Sequence, residues 1–400
     1  MQFNHQKPTM DDYFAATLTK LNSNFFANLT IVIGNESCDL DSAVSSIVYA
    51  CFLDWQYNLI KCKVCTNIYR DESVVVKDDI FVPVLNVDRQ DFELKTEVAY
   101  LLREKGINES HLVFRDDHDL PKLLSKPKSK VVLVDHHVLA KKDQYLAPYV
   151  TEIIDHRPLD QTGWHYKDDT RSTIWPVGSC TTLIAQRIKD LCTLLAKNVD
   201  FFNAHPWCNE MIHATIILDT VNFSKEVDKA TPLDEEMILF LESLLKPADY
   251  KALRKKVLAS LVAARSDVSR LSAAQLLRKD VKTVNNILVP SFPILVKEFL
   301  ERPGALEAVT EALDRHSCNI AVLLGMDLSK GLQRDTAVYS PNNPEEAASL
   351  GKYLVEYSAP ALRLTPAAHA HCGYYRQGNL AASRKQYMPA LNHYSNRQTQ

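Results

Sequence analysis

Apolar residues in the first half of the chain fall into short continuous runs, separated by stretches where they recur every three or four positions. The runs LTIVIG (29–34), IFVPVL (80–85), HLVF (111–114), VVLV (131–134) and EII (152–154) are short and mostly β-branched, which predicts strands. After Asp41, the positions Val44, Ile47, Val48 and Cys51 repeat at helical spacing, and Asp41 or Ser42 is placed to cap the start. Residues 92–105 read as helix or loop, and 179–192 as a helix beginning after Gly178. HATIIL (213–218) is a continuous apolar run that periodicity leaves open between buried strand and buried helix; helix is the expectation. Strands alternating with helices are the order that builds a parallel sheet with helices on its faces.

The second half follows a different pattern. Composition turns polar over residues 222–234, and a helical stretch at 232–245 leads away from it. Helices are predicted at 250–264, 272–277, 293–301 and 305–316, with strands at 286–290, 320–324 and 336–339. The expected organisation is α/β: an N-terminal extension (1–28), a parallel-sheet domain (29–240), a smaller mixed α/β domain (241–395) and a short tail (396–400). A chain of 400 residues agrees, since single cores rarely grow past about 250–300 residues.

Composition narrows the classes. An apolar fraction of 46% and a charged fraction of 24% exclude disordered, collagenous and coiled-coil proteins. Lys and Arg number 46 against 49 Asp and Glu, so there is no global positive field for nucleic acid, and an anionic ligand must be caught in a local basic pocket. No apolar run approaches the ~20 residues of a membrane helix. The first residues carry Asp11 and Asp12 and no apolar signal core, so a cytoplasmic protein is expected, with Met10 as an alternative start that leaves mitochondrial targeting open. Nine scattered cysteines, an odd number, predict reduced thiols. Cys62 and Cys65 form a C-x-x-C pair, but no second pair or H-x-x-x-H follows, and they read as ordinary thiols.

Acidic residues stand directly after the apolar runs, where ligands of open parallel sheets bind. Asn35, Asp39 and Asp41 follow the first run, Asp135 with His136 and His137 follows VVLV, Asp155 and His156 follow EII, and Asp219 follows HATIIL. One D-x-D is ordinarily a helix cap. Four such clusters brought together would repel unless cations neutralised them, which implies bound metal. Oxygen ligands with one or two imidazoles suit Mg²⁺ or Mn²⁺. Two such ions about 3.5–4 Å apart can activate a water and clamp phosphoryl oxygens, the chemistry of phosphoester or phosphoanhydride hydrolysis.

These residues carry a family resemblance. GNESCDLDS (34–42), VDHH (134–137), IDHRP (154–158), VGSC (177–180) and IILDTVN (216–222) resemble the DHH phosphoesterase superfamily, and in order and spacing its prune branch, which also holds the short-chain exopolyphosphatases and is related to the family II inorganic pyrophosphatases. LLRKD (276–280) and SRK (383–385) extend the resemblance over nearly all of the chain after Leu29. It implies a DHH domain followed by a DHHA2 domain that closes over the substrate, with the active site in the cleft between domains.

By that resemblance two divalent ions, Mn²⁺ or Mg²⁺, are bound by Asp39, Asp41, Asp135, Asp219, His156 and Asn35, with Asp135 bridging. Asp135, His156 and Arg157 are the catalytic residues, and Arg157, Arg384, Lys385, Arg278 and Lys279 bind the substrate phosphates. Arg157 stands where the pyrophosphatases have a proton-donating His, and Arg cannot donate a proton at neutral pH, which directs the expectation away from pyrophosphate. Asn35 likewise replaces a metal-binding His and favours Mg²⁺ over softer ions. His137 is expected either to touch the metals or to act one layer out. The implied activity is cleavage of terminal phosphoanhydride bonds in short polyphosphates and nucleoside polyphosphates. Two alternatives are a cyclic nucleotide phosphodiesterase and an interaction protein regulating nucleoside diphosphate kinase; the short stretch after Lys385 weakens the latter. A homodimer is open.

Overall fold

The computed structural model describes residues 9–65, 77–126, 128–197, 199–327 and 331–398. The chain forms two compact units, Met1–Arg265 and Ser266–Gln400. Six strands build the first: β1 (Leu29–Ile33), β2 (Ile80–Leu85), β3 (Val113–Phe114), β4 (Lys130–Val134), β5 (Val150–Asp155) and β6 (Arg171–Ile174). They lie in the order β3-β2-β1-β4-β5-β6, and every pairing is parallel.

Successive side chains in a strand point to opposite faces. Val32, Val132, Val134 and Ile154 enter one core beneath the helix Leu40–Cys65, while Ile31, Ile33, Val131, Leu133 and Ile153 enter another with Phe26, Leu124 and Leu146. Both faces are therefore covered, which is why the strands read as unbroken apolar runs and not as alternations. Each fully buried aliphatic side chain stabilises the fold by roughly 1.5–3 kcal/mol relative to exposure. HATIIL lies within the helix Pro206–Asp219, as expected, with residues 211–218 all buried.

The second unit carries β7 (Val281–Val284), β8 (Ile287–Phe292), β9 (Ile320–Asp327), β10 (Gln333–Tyr339), β11 (Leu364–Ala367) and β12 (Gly373–Gln377). Their order is β11-β12-β10-β9-β8-β7; β8 and β9 run parallel and the other neighbours antiparallel. This is the smaller mixed α/β fold that the pattern predicts.

The compact units do not coincide with the expected domain bounds. The division expected near residue 240 falls after Arg265, because Met237, Ile238, Leu241 and Leu261 of the helices Pro232–Leu245 and Tyr250–Ser266 pack into the first core. The polar stretch 222–234 is a loop of that unit rather than a linker between units. Part of the expected extension belongs to the first unit, since the helix Met10–Ser23 buries Met10, Phe14 and Leu21 against it. The tail at 396–400 is partly helical, because the helix Arg384–Gln398 runs into it. The side chains of Cys62 and Cys65 lie outside the described residues.

His213 joins two helices of the first unit. It is 2% exposed, and its Nε2 lies 3.2 Å from Glu242 Oε1, which Arg254 grips with two bonds of 2.6 and 2.8 Å. Burial holds the His213 pKa below its ordinary value, against the pull of Glu242. A histidine with a depressed folded pKa contributes stability above about pH 6.5 that is lost as the pH falls. Melting temperatures of the parent are expected to fall more steeply than those of His213→Gln between about pH 7 and about pH 5. Parallel slopes would remove His213 as the acid-sensitive group.

Candidate metal centre

In this strand order the chain departs from the middle of the sheet in opposite directions at β1 and β4, so the loops after them splay and open a crevice at their carboxyl ends. Asn35, Asp39 and Asp41 follow β1, Asp135 follows β4, and His156 follows the neighbouring β5. The crevice is closed at its base by Gly34, where an added Cβ would stand 2.7 Å from Ser42 Cβ. Only glycine lets the loop after β1 lie this close to the helix start at Leu40.

Asp135 is the centre of the site. Its backbone takes a left-handed φ of 59° while its N–H still donates to Ile154 O at 2.9 Å. Oδ2 accepts from Asn35 Nδ2 at 2.8 Å and from Ser42 Oγ at 2.6 Å. Oδ1 is buried with no hydrogen bond of good geometry among the described residues, although His156 Nε2 stands 3.2 Å away and Arg157 Nη2 3.9 Å. A carboxylate 1% exposed with one oxygen unmatched is costly unless a cation completes it.

Asp41 lies in the first turn of its own helix and reaches the start of another, Cys180–Leu194. Oδ1 accepts from Ser179 Oγ at 2.9 Å and Thr181 N at 2.8 Å, and Oδ2 from Cys180 N at 2.6 Å. The positive end of that helix holds the carboxylate in place. His156 Nδ1 donates to Val177 O at 2.9 Å, which aims Nε2 at Asp135 and, 3.8 Å away, at Asp41 Oδ2. Ligand atoms of Asp41, Asp135 and His156 all lie within 4.8 Å of one another.

The electrostatics test whether a cation fits. Burial, reinforced by Asp219 and Asp135, pushes the Asp41 carboxyl well above its ordinary range. Burial likewise raises Asp219, at the end of the helix Pro206–Asp219, to about 6, and its Oδ2 has no hydrogen-bond partner among the described residues. Burial opposes a charge on His156, but Asp135, Asp41 and the Val177 carbonyl outweigh it and raise the imidazole to about 9. Carboxyls that raise one another and recruit a proton onto the nearest imidazole are a donor set built for a cation. Oxygen donors with one imidazole fit Mg²⁺ or Mn²⁺.

The remaining expected residues are placed as follows. Asp39 is half-buried and caps its helix, accepting from Ser42 N at 3.1 Å and Ser37 Oγ at 3.2 Å. Asn35 departs from the expected ligand role: its amide oxygen accepts from Ser37 N at 2.9 Å and Ser37 Oγ at 2.6 Å, while its NH₂ faces Asp135. A carboxylate cannot donate, so this orientation is dictated and Asn35 is a clamp on Asp135. His137 is turned away from the cluster. Its Nδ1 bonds Asp155 Oδ2 at 2.5 Å and its Nε2 accepts from Asp160 N at 2.8 Å, so neither nitrogen faces the cluster. Asp155 in turn accepts from the backbone N–H groups of His156 and Arg157 and shapes that loop. The Arg157 side chain is exposed.

Arg278, Lys279, Arg384 and Lys385 belong to the second unit. Arg278 and Lys279 end the helix Ala273–Lys279. Arg384 opens the helix Arg384–Gln398, and its guanidinium bonds Asp280 Oδ1 at 2.5 Å, Asp280 O at 3.0 Å and Val289 O at 3.2 Å. Lys385 is exposed.

The sequence reading missed Asp234. Fully buried, it accepts from Gly178 N at 2.8 Å, Thr231 N at 2.7 Å and Thr182 Oγ1 at 2.5 Å, fixing the loop that holds Asp41. A Cβ on Gly178 would meet Asp234 Oδ2 at 3.0 Å and Thr220 Cγ2 at 2.8 Å. The available signal was the T-x-x-D capping box at Thr231 and Asp234.

A parallel sheet with carboxylates and an imidazole at its switch point, in a chain that continues into a mixed α/β unit, has the organisation of the DHH phosphoesterase class. Residues 259–394 match the family model of the DHHA2 domain. Exopolyphosphatase PRUNE1 of Rattus norvegicus is 33% identical over 390 residues, covering 96% of this chain and 78% of the relative. The Homo sapiens protein of the same name is 31% identical over 390 residues with the same coverage. Among solved structures, an exopolyphosphatase-related protein from Bacteroides fragilis is 14% identical, covering 97% of this chain and 98% of that chain with a TM-score of 0.39. The chain belongs to the prune family of DHH phosphoesterases.

A cation that binds only the folded state stabilises it by about 2.7 kcal/mol at one hundred times its dissociation constant. Thermal melts are expected to shift upward with saturating Mn²⁺ or Mg²⁺ in the parent and much less in Asp135→Asn. Without metal, Asp135→Asn should melt no lower than the parent, because it relieves repulsion with Asp41 and Asp219. A variant that loses stability without metal and keeps the full shift would contradict the assignment.

Proposed function

We propose that this chain is a metal-dependent phosphohydrolase that cleaves terminal phosphoanhydride bonds of short polyphosphates and nucleoside polyphosphates by a two-metal mechanism. The observation that carries this reading is the buried Oδ1 of Asp135, which faces the imidazole of His156 among Asp41 and Asp219. Two divalent ions held by Asp39, Asp41, Asp135, Asp219 and His156 would supply charge neutralisation on the phosphoryl oxygens and an acidified water. The protein's own part is positional. Asn35 and Ser42 hold Asp135 Oδ2 so that Oδ1 faces the cluster. Ser179, Cys180 and Thr181 fix Asp41, and Val177 fixes the imidazole of His156.

Arg157 favours an anhydride substrate. Its guanidinium can stabilise negative charge developing on a transferred phosphoryl group but cannot protonate a leaving group. The phosphate released from a polyphosphate is stable as an anion and needs little protonation. The alkoxide released from a cyclic nucleotide needs a proton. Arg278, Lys279, Arg384 and Lys385 are proposed as cations for the substrate's other phosphates, Arg384 while shared with Asp280. The same reading makes the PRUNE1 exopolyphosphatases the nearest functional guide among the relatives described above.

Phosphate release from tripolyphosphate and pyrophosphate, and AMP release from cyclic AMP, with Mg²⁺ or Mn²⁺, test the proposal. Tripolyphosphate is expected to turn over best, and Asp135→Asn to lower kcat/KM by at least ~10²–10³-fold. Preference for cyclic AMP would move the chain to the phosphodiesterases. No turnover of any substrate above the Asp135→Asn background would leave partner binding, as with a nucleoside diphosphate kinase, as the function.

A further inference from the structure

The turn joining β11 to β12 carries the sequence His369-Ala-His371-Cys372, which the reading of the first unit does not use. Folding brings these donors together. His369 Nδ1 lies 3.1 Å from Cys372 Sγ and accepts from the backbone N–H of His371 at 3.4 Å. The two imidazole centroids are 6.2 Å apart with their planes at 73°. All three residues line a cavity of about 740 Å³ that is bounded elsewhere by the helix Pro344–Glu356 and by Pro341 and Pro366.

We propose that His369, His371 and Cys372 form a binding site for a borderline or soft divalent cation of the Zn²⁺ class, separate in chemistry from the oxygen-rich centre of the first unit. Zinc bonds nitrogen at about 2.0–2.1 Å and sulfur at about 2.3 Å, so a tetrahedral ion separates the two donors by about 3.5 Å. The His369–Cys372 pair needs to open by only a few tenths of an ångström. Among the described residues only Asp41, Asp135 and His156 already bring three ligand atoms within 4.8 Å, so His371 must turn inward to complete the set. Its side chain is exposed and so has room to turn. The thiol proton leaves to solvent as the thiolate takes the ion. A fourth position would open towards the cavity, for water or a ligand group. Sulfur and nitrogen donors select Zn²⁺ over Mg²⁺, whereas carboxylates suit Mg²⁺ and Mn²⁺, so the two centres would sort ions by hardness.

The test is titration of the reduced full chain with Co²⁺ as a spectroscopic substitute for Zn²⁺, in excess Mg²⁺ to fill the carboxylate centre. A thiolate-to-cobalt charge-transfer band is expected, saturating at one equivalent and bleached by Zn²⁺. It should vanish in Cys372→Ser, and Co²⁺ should bind at least about tenfold more weakly to His369→Ala and to His371→Ala, with unchanged circular dichroism. Absence of the band in the parent overturns the proposal. So does a band that survives Cys372→Ser, which would place the ion on another thiol, or one that neither His variant weakens. None of these readouts depends on hydrolysis, so failure here and failure of the proposed activity are told apart.

Discussion

The repulsion among buried carboxylates at the switch point is the constraint on which the rest of the first unit depends. Burial raises the cost of ionising Asp41 and Asp219; Asp135 adds to it at both, and Asp219 adds to it at Asp41. Such a cluster persists only if neighbouring groups hold each carboxylate in place. Asp41 is held by the start of a helix, and Asp135 by Ser42 and Asn35. Each of these holders uses part of a carboxylate's capacity and leaves a lone pair towards the centre. The groups that hold these carboxylates come from the chain itself, so a cation need not order the side chains at its own cost.

Support for that arrangement runs outward through the chain. Asp234 ties the backbone of Gly178 and the hydroxyl of Thr182 to the start of the helix Pro232–Leu245. The same short segment presents Ser179, Cys180 and Thr181 to Asp41. Beside it, the pair Asp155–His137 fixes the loop that carries His156 and Arg157. Both supports are buried ion or hydrogen-bond networks. Breaking one partner of such a network ordinarily costs several kcal/mol because the other is left unmatched. The position of the clustered carboxylates and of His156 is thus tied to the stability of the loops, so Asp234 and His137 support the cluster from outside it.

Much of this was legible in the chain because parallel strands covered on both faces are largely apolar, as β2, the run VVLV of β4 and the run 31–33 of β1 are. The acidic residues after them were legible for the same reason, since a charge at the end of such a run lies at the sheet's edge. What residue type does not encode is which end of a side chain faces inward. Asn35 could as well have offered its oxygen, and only Ser37 and Asp135 together decide that it does not. The position of the division after Arg265 was hidden because polarity marks loops, whether or not they join units; Leu261, far from that loop, settles it by its burial. β11 and β12 escaped notice because polar and proline residues interrupt them, at Thr365, Pro366 and Arg376.

His137 shows how a motif can mislead about which atom does the chemistry. The D-H-H triplet at Asp135 to His137 sets three donors side by side in the chain, yet the chain has just left β4 through a left-handed residue, and the side chains diverge. His136 folds back on Val134 O, at 2.9 Å, and burial holds its pKa below the ordinary value. His137 turns to Asp155. The imidazole that reaches Asp135 is instead His156, from the next strand, because β4 and β5 are paired and their ends lie side by side. Strand pairing, and not adjacency in the chain, brings these donors together. Residues following β1, β4 and β5, together with the helix end at Asp219, are where a substitution should alter metal binding directly, whereas one at His136 or His137 should alter it through the loop.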